Sequence, residues 1–139
     1  MKIGCVKEIK RHEYRVGMTP HCVKAYVDHG HQVTIQAGAG ADAGFEDAEY
    51  VKAGAKVEPD RKKIFASSDM IIKVKEPQAE EYEFLREGQI LFTYLHLAAD
   101  REQTDALLAR KVKGVAYETI RLADGTLPCL KPMSEIAGR

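Results

Sequence analysis

The chain has 139 residues, 45% of them hydrophobic and 30% charged, which suffices for one buried core and excludes a disordered polymer. Twenty-one basic residues balance twenty-one acidic ones, so no overall charge draws the molecule to nucleic acid or to an anionic membrane. No apolar run approaches the ~20 residues that span a bilayer, and Met1-Lys2-Ile3-Gly4-Cys5 has no signal-peptide core, so a cytoplasmic protein is expected.

In chain order, Ile3 to Val6 reads as a first strand that runs into a long polar loop, Lys7 to Arg15. Thr19-Pro20 supplies an N-cap and a first-turn proline, Val23, Tyr26 and Val27 form an apolar stripe, and Gly30 ends the helix. Val33 to Gln36 is the next strand, and Glu46 to Ala53 the next helix, closed by Gly54. A short helical turn is expected over Arg61 to Ala66, a strand over Met70 to Val74, and a helix over Ala79 to Arg86 before Gly88. Ile90 to Leu95 is a strand, Asp100 caps a helix over Arg101 to Arg110, and Val115 to Tyr117 is the last strand. Ala123 to Thr126 reads as a turn, and Pro132 with Ser134 as the start of a Ser-capped helix that is cut off after about one turn, so the chain reads as a fragment. Strands that are almost wholly apolar need cover on both faces, and helical crossovers make neighbours parallel. The expected fold class is α/β: a doubly wound, three-layer domain on a mostly parallel sheet.

Cys5, Cys22 and Cys129 have neither metal-ligand nor redox spacing and are expected to be buried, reduced thiols, with no metal. In open parallel sheets ligands bind outside the carboxyl ends of the strands. Three polar residues follow strand ends there: Arg15, Lys75 and His96. Each has a plainer reading, Arg15 as a surface partner of Glu8 or Glu13, Lys75 as a solvated strand end, His96 as a half-buried ring. Together they suit a small 2-oxo acid. A guanidinium grips a carboxylate through two parallel bonds, an ammonium neutralises it or polarises a carbonyl, and an imidazole exchanges a proton near neutrality. Gly38-Ala39-Gly40-Ala41-Asp42-Ala43 matches a dinucleotide fingerprint in form, but Asp42, Glu46, Asp47 and Glu49 crowd the spot with no base nearby, so a tight turn is expected. Lys10-Arg11-His12 and Arg61-Lys62-Lys63 read as solvated basic clusters.

Several linked motifs then carry a resemblance. Glu13-Tyr14-Arg15-Val16-Gly17-Met18-Thr19-Pro20, Lys73-Val74-Lys75-Glu76-Pro77, Thr93-Tyr94-Leu95-His96-Leu97-Ala98-Ala99 and Pro132-Met133-Ser134-Glu135-Ile136-Ala137-Gly138-Arg139 resemble, in this order, the N-terminal part of alanine dehydrogenases. That family is shared with a domain of nicotinamide nucleotide transhydrogenase. The resemblance implies a Rossmann-like domain that is not the nucleotide-binding one, and an enzyme interconverting L-alanine with pyruvate and ammonia using NAD. It implies a homo-oligomer, often a hexamer. Arg15, Lys75 and Met133 would bind substrate, His96 would be the acid/base catalyst, and Ser134 would approach the nicotinamide of the cofactor. Residues 1–131 would form the substrate and catalytic domain, and 132–139 the start of a helix leading to an NAD-binding domain, so this chain alone is not expected to turn over. Val6, His12 and Cys22 depart from the usual family residues and leave these positions intact. Competing readings are the transhydrogenase domain, a saccharopine dehydrogenase-like enzyme, and a non-catalytic oligomerisation or ligand-sensing module.

Overall fold

The computed structural model describes residues 1–138, so Arg139 of the last motif lies outside the described residues. Six strands form one sheet in the order β3-β2-β1-β4-β5-β6: β1 (Lys2–Cys5), β2 (Gln32–Gln36), β3 (Lys56–Glu58), β4 (Met70–Ile72), β5 (Ile90–Thr93) and β6 (Lys113–Ala116). Every neighbouring pair is parallel, a stricter outcome than the mostly parallel sheet expected. The chain starts in the middle, builds outward to β3, returns to pair β4 with β1, and builds outward again to β6.

Alternation along the strands sorts the apolar residues into two cores. Ile3, Cys5, Val33, Ile35 and Ile72 pack with Val23 of α1 (Pro20–Asp28) and Tyr50 of α2 (Asp47–Lys52). Ile71, Leu91 and Leu95 pack with Ile64 and Phe65 of α3 (Arg61–Ser67) and Leu107 of α4 (Arg101–Ala109). Two separate clusters with different helices on each give the three layers. The second layer sits so close to β1 that a Cβ on Gly4 would lie 2.5 Å from Ser68 Oγ and 2.6 Å from Ile64 Cγ2.

Local signals hold where the chemistry is local. Thr19 Oγ1 accepts the Cys22 amide at 3.3 Å, Pro20 opens α1, and Gly30 leaves it with φ 80°. Asp60 and Asp100 cap α3 and α4 through the amides of Lys62 and Gln103. The 123–126 turn is made by Gly125 at φ 84° with Thr126 bonded to Asp124.

Four expectations change. The sequence reading has no strand at β3, a three-residue edge strand. The helix expected over Ala79 to Arg86 is a 3-10 helix over Ala79–Phe84, closed by a capping box between Gln78 and Glu81. The helix at the end, α5 (Lys131–Ala137), begins one turn earlier than a Ser134 cap requires: Pro132 lies in its first turn, Leu130 precedes it without a side-chain cap, and Ser134 is interior. Of the three free thiols only Cys5 is buried, its pKa pushed up to about 12 by burial and by the nearby Glu8 charge, whereas Cys22 is exposed. Among the described residues no helix is long and apolar enough to cross a membrane.

Because β1 and α3 touch through Gly4, Gly4→Ala is expected to cost about 2 kcal/mol by overpacking, read as a lower urea midpoint with an unchanged slope. An unaltered midpoint would show that the two layers can separate freely.

Candidate active site

The carboxyl ends of β1, β4 and β5 lie side by side, so the segments that leave them meet above the sheet. Beneath that meeting point is a buried charge cluster. Lys73, fully buried just past β4, places Nζ 3.1 Å from Glu8 Oε2 and 3.2 Å from Glu81 Oε1. Glu8 Oε1 accepts the Val74 amide at 2.6 Å, and Arg61 stands 3.5 Å from Glu81 while donating to the Lys7 carbonyl at 3.0 Å. Burial raises the Glu8 carboxyl, and the Lys73 ammonium and the Val74 amide oppose that rise. The cluster ties the loop after β1 to the end of β4. Gly17 fastens the same loop further along, since a Cβ there would sit 3.0 Å from the Ile72 carbonyl oxygen and 3.1 Å from Lys73 Cα.

Arg15 rides on this loop, half exposed, in a two-pronged pair with Glu13: Nε to Oε1 at 2.8 Å and Nη2 to Oε2 at 2.7 Å. Its Nη1 lies 3.8 Å from Met133 Sδ of α5, and the Tyr94 hydroxyl reaches the same sulfur at 2.6 Å. The Tyr94 ring stacks on His96 at 5.8 Å between centroids and 11° between planes. Arg15, Met133, Tyr94 and His96 therefore form one continuous series of contacts. Lys75, two residues past the buried Lys73, is fixed through its carbonyl by Thr93 Oγ1 at 2.8 Å. Among the described residues its ammonium makes no ion pair, while its charge acts on both Glu13 and Glu76. Ser134 follows Met133 on α5 and is exposed.

His96 is held by its backbone. Its φ is 48°, a left-handed conformation that a β-carbon disfavours, and Glu118 Oε1 accepts the amides of Leu95 at 3.0 Å and His96 at 2.8 Å. Burial opposes ionisation of Glu118, but those amides and the His96 charge hold its carboxyl below the usual range. On the ring side, Nδ1 lies 3.8 Å from Glu76 Oε2, a buried oxygen without a hydrogen bond. Burial opposes ionisation of Glu76, but the other Glu76 oxygen pairs with Lys10, and this pair, a backbone amide and the Lys75 charge together hold the carboxyl below the ordinary range. The structure thus links Arg15, Met133 and His96 in series through Tyr94, sets Lys75 where its charge acts on Glu13 and Glu76, and leaves Ser134 exposed on α5. Glu13, Glu76, Glu118 and Tyr94 are the members that the sequence reading did not single out for the site.

The glycine turn after β2 is built for packing. A Cβ on Gly40 would lie 2.5 Å from the Tyr50 hydroxyl, and Asp47 Oδ1 takes the Gly38 amide at 2.9 Å, where a phosphate oxygen would need to bind. One expectation there needs correction: a base is nearby, since Lys7 pairs with Asp42 at 3.2 Å.

A six-stranded, all-parallel sheet with helices packed on both faces is an α/β domain, and Arg15, Lys75 and His96 follow the carboxyl ends of three neighbouring strands in it. The chain belongs to the alanine dehydrogenase/PNT N-terminal domain family, whose model matches residues 4–137. It is 55% identical over 139 residues to an alanine dehydrogenase of Methanococcus maripaludis, covering 100% of this chain and 37% of that protein. A solved L-alanine dehydrogenase superposes with a TM-score of 0.96 at 50% identity, over 100% of this chain and 38% of that one. A transhydrogenase from Sinorhizobium meliloti is more distant, with a TM-score of 0.80 at 29% identity over 85% of this chain and 34% of its own. The chain spans little more than a third of the length of these relatives.

Two outcomes test the scaffold of the site. Lys73→Met strands Glu8 and Glu81 in the interior and is expected to lose about 3–5 kcal/mol of stability; a loss below ~1 kcal/mol, the scale of a surface pair, would mean that the cluster is hydrated. Glu118 has a folded pKa below its unfolded one, so its contribution is present above the ordinary carboxylate pKa and disappears as pH falls through the folded value. The gap in urea midpoint between the native chain and Glu118→Gln should be widest near neutrality and close in acid, and a gap independent of pH would contradict the assignment.

Proposed function

We propose that this chain is the substrate-binding and catalytic N-terminal part of an NAD-dependent L-alanine dehydrogenase. The reaction is L-alanine with NAD⁺ and water giving pyruvate, ammonium, NADH and a proton. Residues 1–131 form the substrate domain, and 132–139 lead toward an NAD-binding domain in a cytoplasmic homo-oligomer, a hexamer in the full enzyme. The observation that carries this reading is the contact series Arg15, Met133, Tyr94, His96 beyond the carboxyl ends of β1 and β5, beside the Lys75 ammonium, which makes no ion pair among the described residues.

Arg15 and Lys75 hold the carboxylate shared by alanine and pyruvate, Arg15 through paired N–H donors and Lys75 as a compact charge. Met133 lines the apolar side, where a methyl group needs no hydrogen bond. His96 carries an imidazole, a side chain able both to donate and to accept a proton, and gives a proton to the pyruvate oxygen in the direction of amination. It takes the proton back from that oxygen in the direction of deamination. The ring contacts support this role: Glu76 faces Nδ1 and so favours a hydrogen there, leaving Nε2 for the substrate.

The glycine turn after β2 does not fit a dinucleotide, because Asp47 occupies its amide. The residues that suit the cofactor are those of α5, where the exposed Ser134 hydroxyl lies one position past Met133 and can bond the nicotinamide carboxamide. When bound, NAD⁺ supplies the acceptor for the hydride on the alanine α-carbon. Hydride exchange between two nucleotides, the transhydrogenase alternative, has no use for a carboxylate-gripping guanidinium beside an acid/base imidazole.

In the full-length enzyme His96→Ala is expected to lower kcat/KM for alanine oxidation roughly 100-fold or more, the scale of lost general acid-base catalysis. Unchanged steady-state kinetics would remove His96 from the chemistry.

A further inference from the structure

Arg15 does not stand free above the sheet. Its neighbour two residues back, Glu13, has a side chain only 7% exposed against 51% for Arg15 itself. Glu13 is set by a tight turn in which its own amide bonds the Lys10 carbonyl at 3.1 Å and His12 takes a left-handed φ of 63°. From there Oε1 accepts two Arg15 hydrogens, the backbone amide at 3.0 Å and Nε at 2.8 Å, and Oε2 accepts one from Nη2 at 2.7 Å.

A guanidinium has five N–H donors in a rigid plane. Glu13 takes the Nε hydrogen and one on Nη2, which is the whole inner edge of the fork. What is left is the outer edge, the second Nη2 hydrogen together with the pair on Nη1. That edge faces Tyr94 and Met133, and the thioether sulfur 3.8 Å from Nη1 is a weak acceptor that a carboxylate displaces readily. Charge agrees with this geometry. Immediately around the guanidinium, Arg15 and Lys75 contribute two positive charges against the one negative charge of Glu13, so pairing with Glu13 leaves the Lys75 charge uncompensated by it. The bond from Arg15, together with the Arg15 and Lys75 charges, holds the Glu13 carboxyl below its usual range, so it stays ionised while a second carboxylate binds nearby.

We propose that Glu13 is a positioning residue for the substrate carboxylate. By occupying the inner edge of Arg15 it compels the guanidinium to present its outer Nη1/Nη2 edge, which fixes the angle at which a 2-oxo or 2-amino acid enters. This rests on the reading that Arg15 binds that carboxylate, and the test separates the two.

Glu13→Gln, Arg15→Ala and the double variant are compared in the full-length enzyme, with pyruvate, L-alanine and ammonium varied in turn. Glu13→Gln should raise KM for pyruvate and for L-alanine roughly 10-fold, the scale of a lost charge-assisted hydrogen bond. The change should fall on KM rather than kcat, with KM for ammonium unmoved. In the Arg15→Ala background it should add nothing further. In ¹⁵N spectra of the 139-residue chain, the Arg15 Nε–H signal should be protected from solvent exchange and lose that protection in Glu13→Gln. The inference is overturned if Glu13→Gln lowers KM for pyruvate, which would make Glu13 a competitor for Arg15. It is also overturned if the two single effects add independently, or if the Nε–H signal exchanges freely in the native chain. Should Arg15→Ala itself leave KM for pyruvate unchanged, the site reading falls, and the Nε–H signal still decides whether the Glu13 grip exists.

Discussion

The Lys73 ammonium, fully buried between Glu8 and Glu81, is the interaction on which the site depends. Each of its partners belongs to a different segment: Glu8 to the loop after β1, Glu81 to the 3-10 helix, and Arg61, which shares Glu81, to the first turn of α3. An ion cluster so deep is a poor source of raw stability, because desolvating its charges consumes most of what their attraction returns. Its effect here is one of register. With Gly17 pressed against the backbone of Ile72 and Lys73, the loop has one seat on β4, and that seat decides where Arg15 stands relative to Lys75.

Above this base the cations are matched one by one with acids. Glu13 faces Arg15, Glu76 pairs with Lys10 and looks toward His96, and Glu118 gathers the amides that bracket His96. Each of these three carboxyls is shifted toward its ionised form, and two of them, Glu76 and Glu118, set fixed negative charge beside His96. Lys75 is the exception, since its ammonium makes no ion pair among the described residues. Fixed dipoles and charges of this kind need no rearrangement when a ligand arrives.

Much of this architecture was legible in the sequence because it is written locally. Apolar runs too continuous for a one-sided sheet pointed to a covered parallel one, and Thr19-Pro20 located α1 to the residue. The positions of Arg15, Lys75 and His96 past the ends of β1, β4 and β5 followed from the same runs. What could not be read depends on residues far apart in the chain. Nothing near Glu118 announces that it holds the backbone 22 residues earlier, and Lys73, embedded in Ile71-Ile72-Lys73-Val74, gives no hint of Glu8, 65 residues away. Tyr94 sat inside the stretch read as a strand, with nothing to show that its hydroxyl reaches Met133. β3 was missed because two of its three residues, Lys56 and Glu58, are charged and the segment carries no alternation long enough to count. The Ala79–Phe84 segment has helical composition in either helix type, and its capping box occurs on the α-helix α2 as well, so neither signal tells the two types apart.

The left-handed turn at His96 separates a tool from its mount. Glu118 clasps main-chain hydrogens, leaving the imidazole free of any duty in keeping the bend. Exchange of the side chain at this one place can therefore change the group that is presented beyond β5 while the Glu118 bonds that brace the bend are kept.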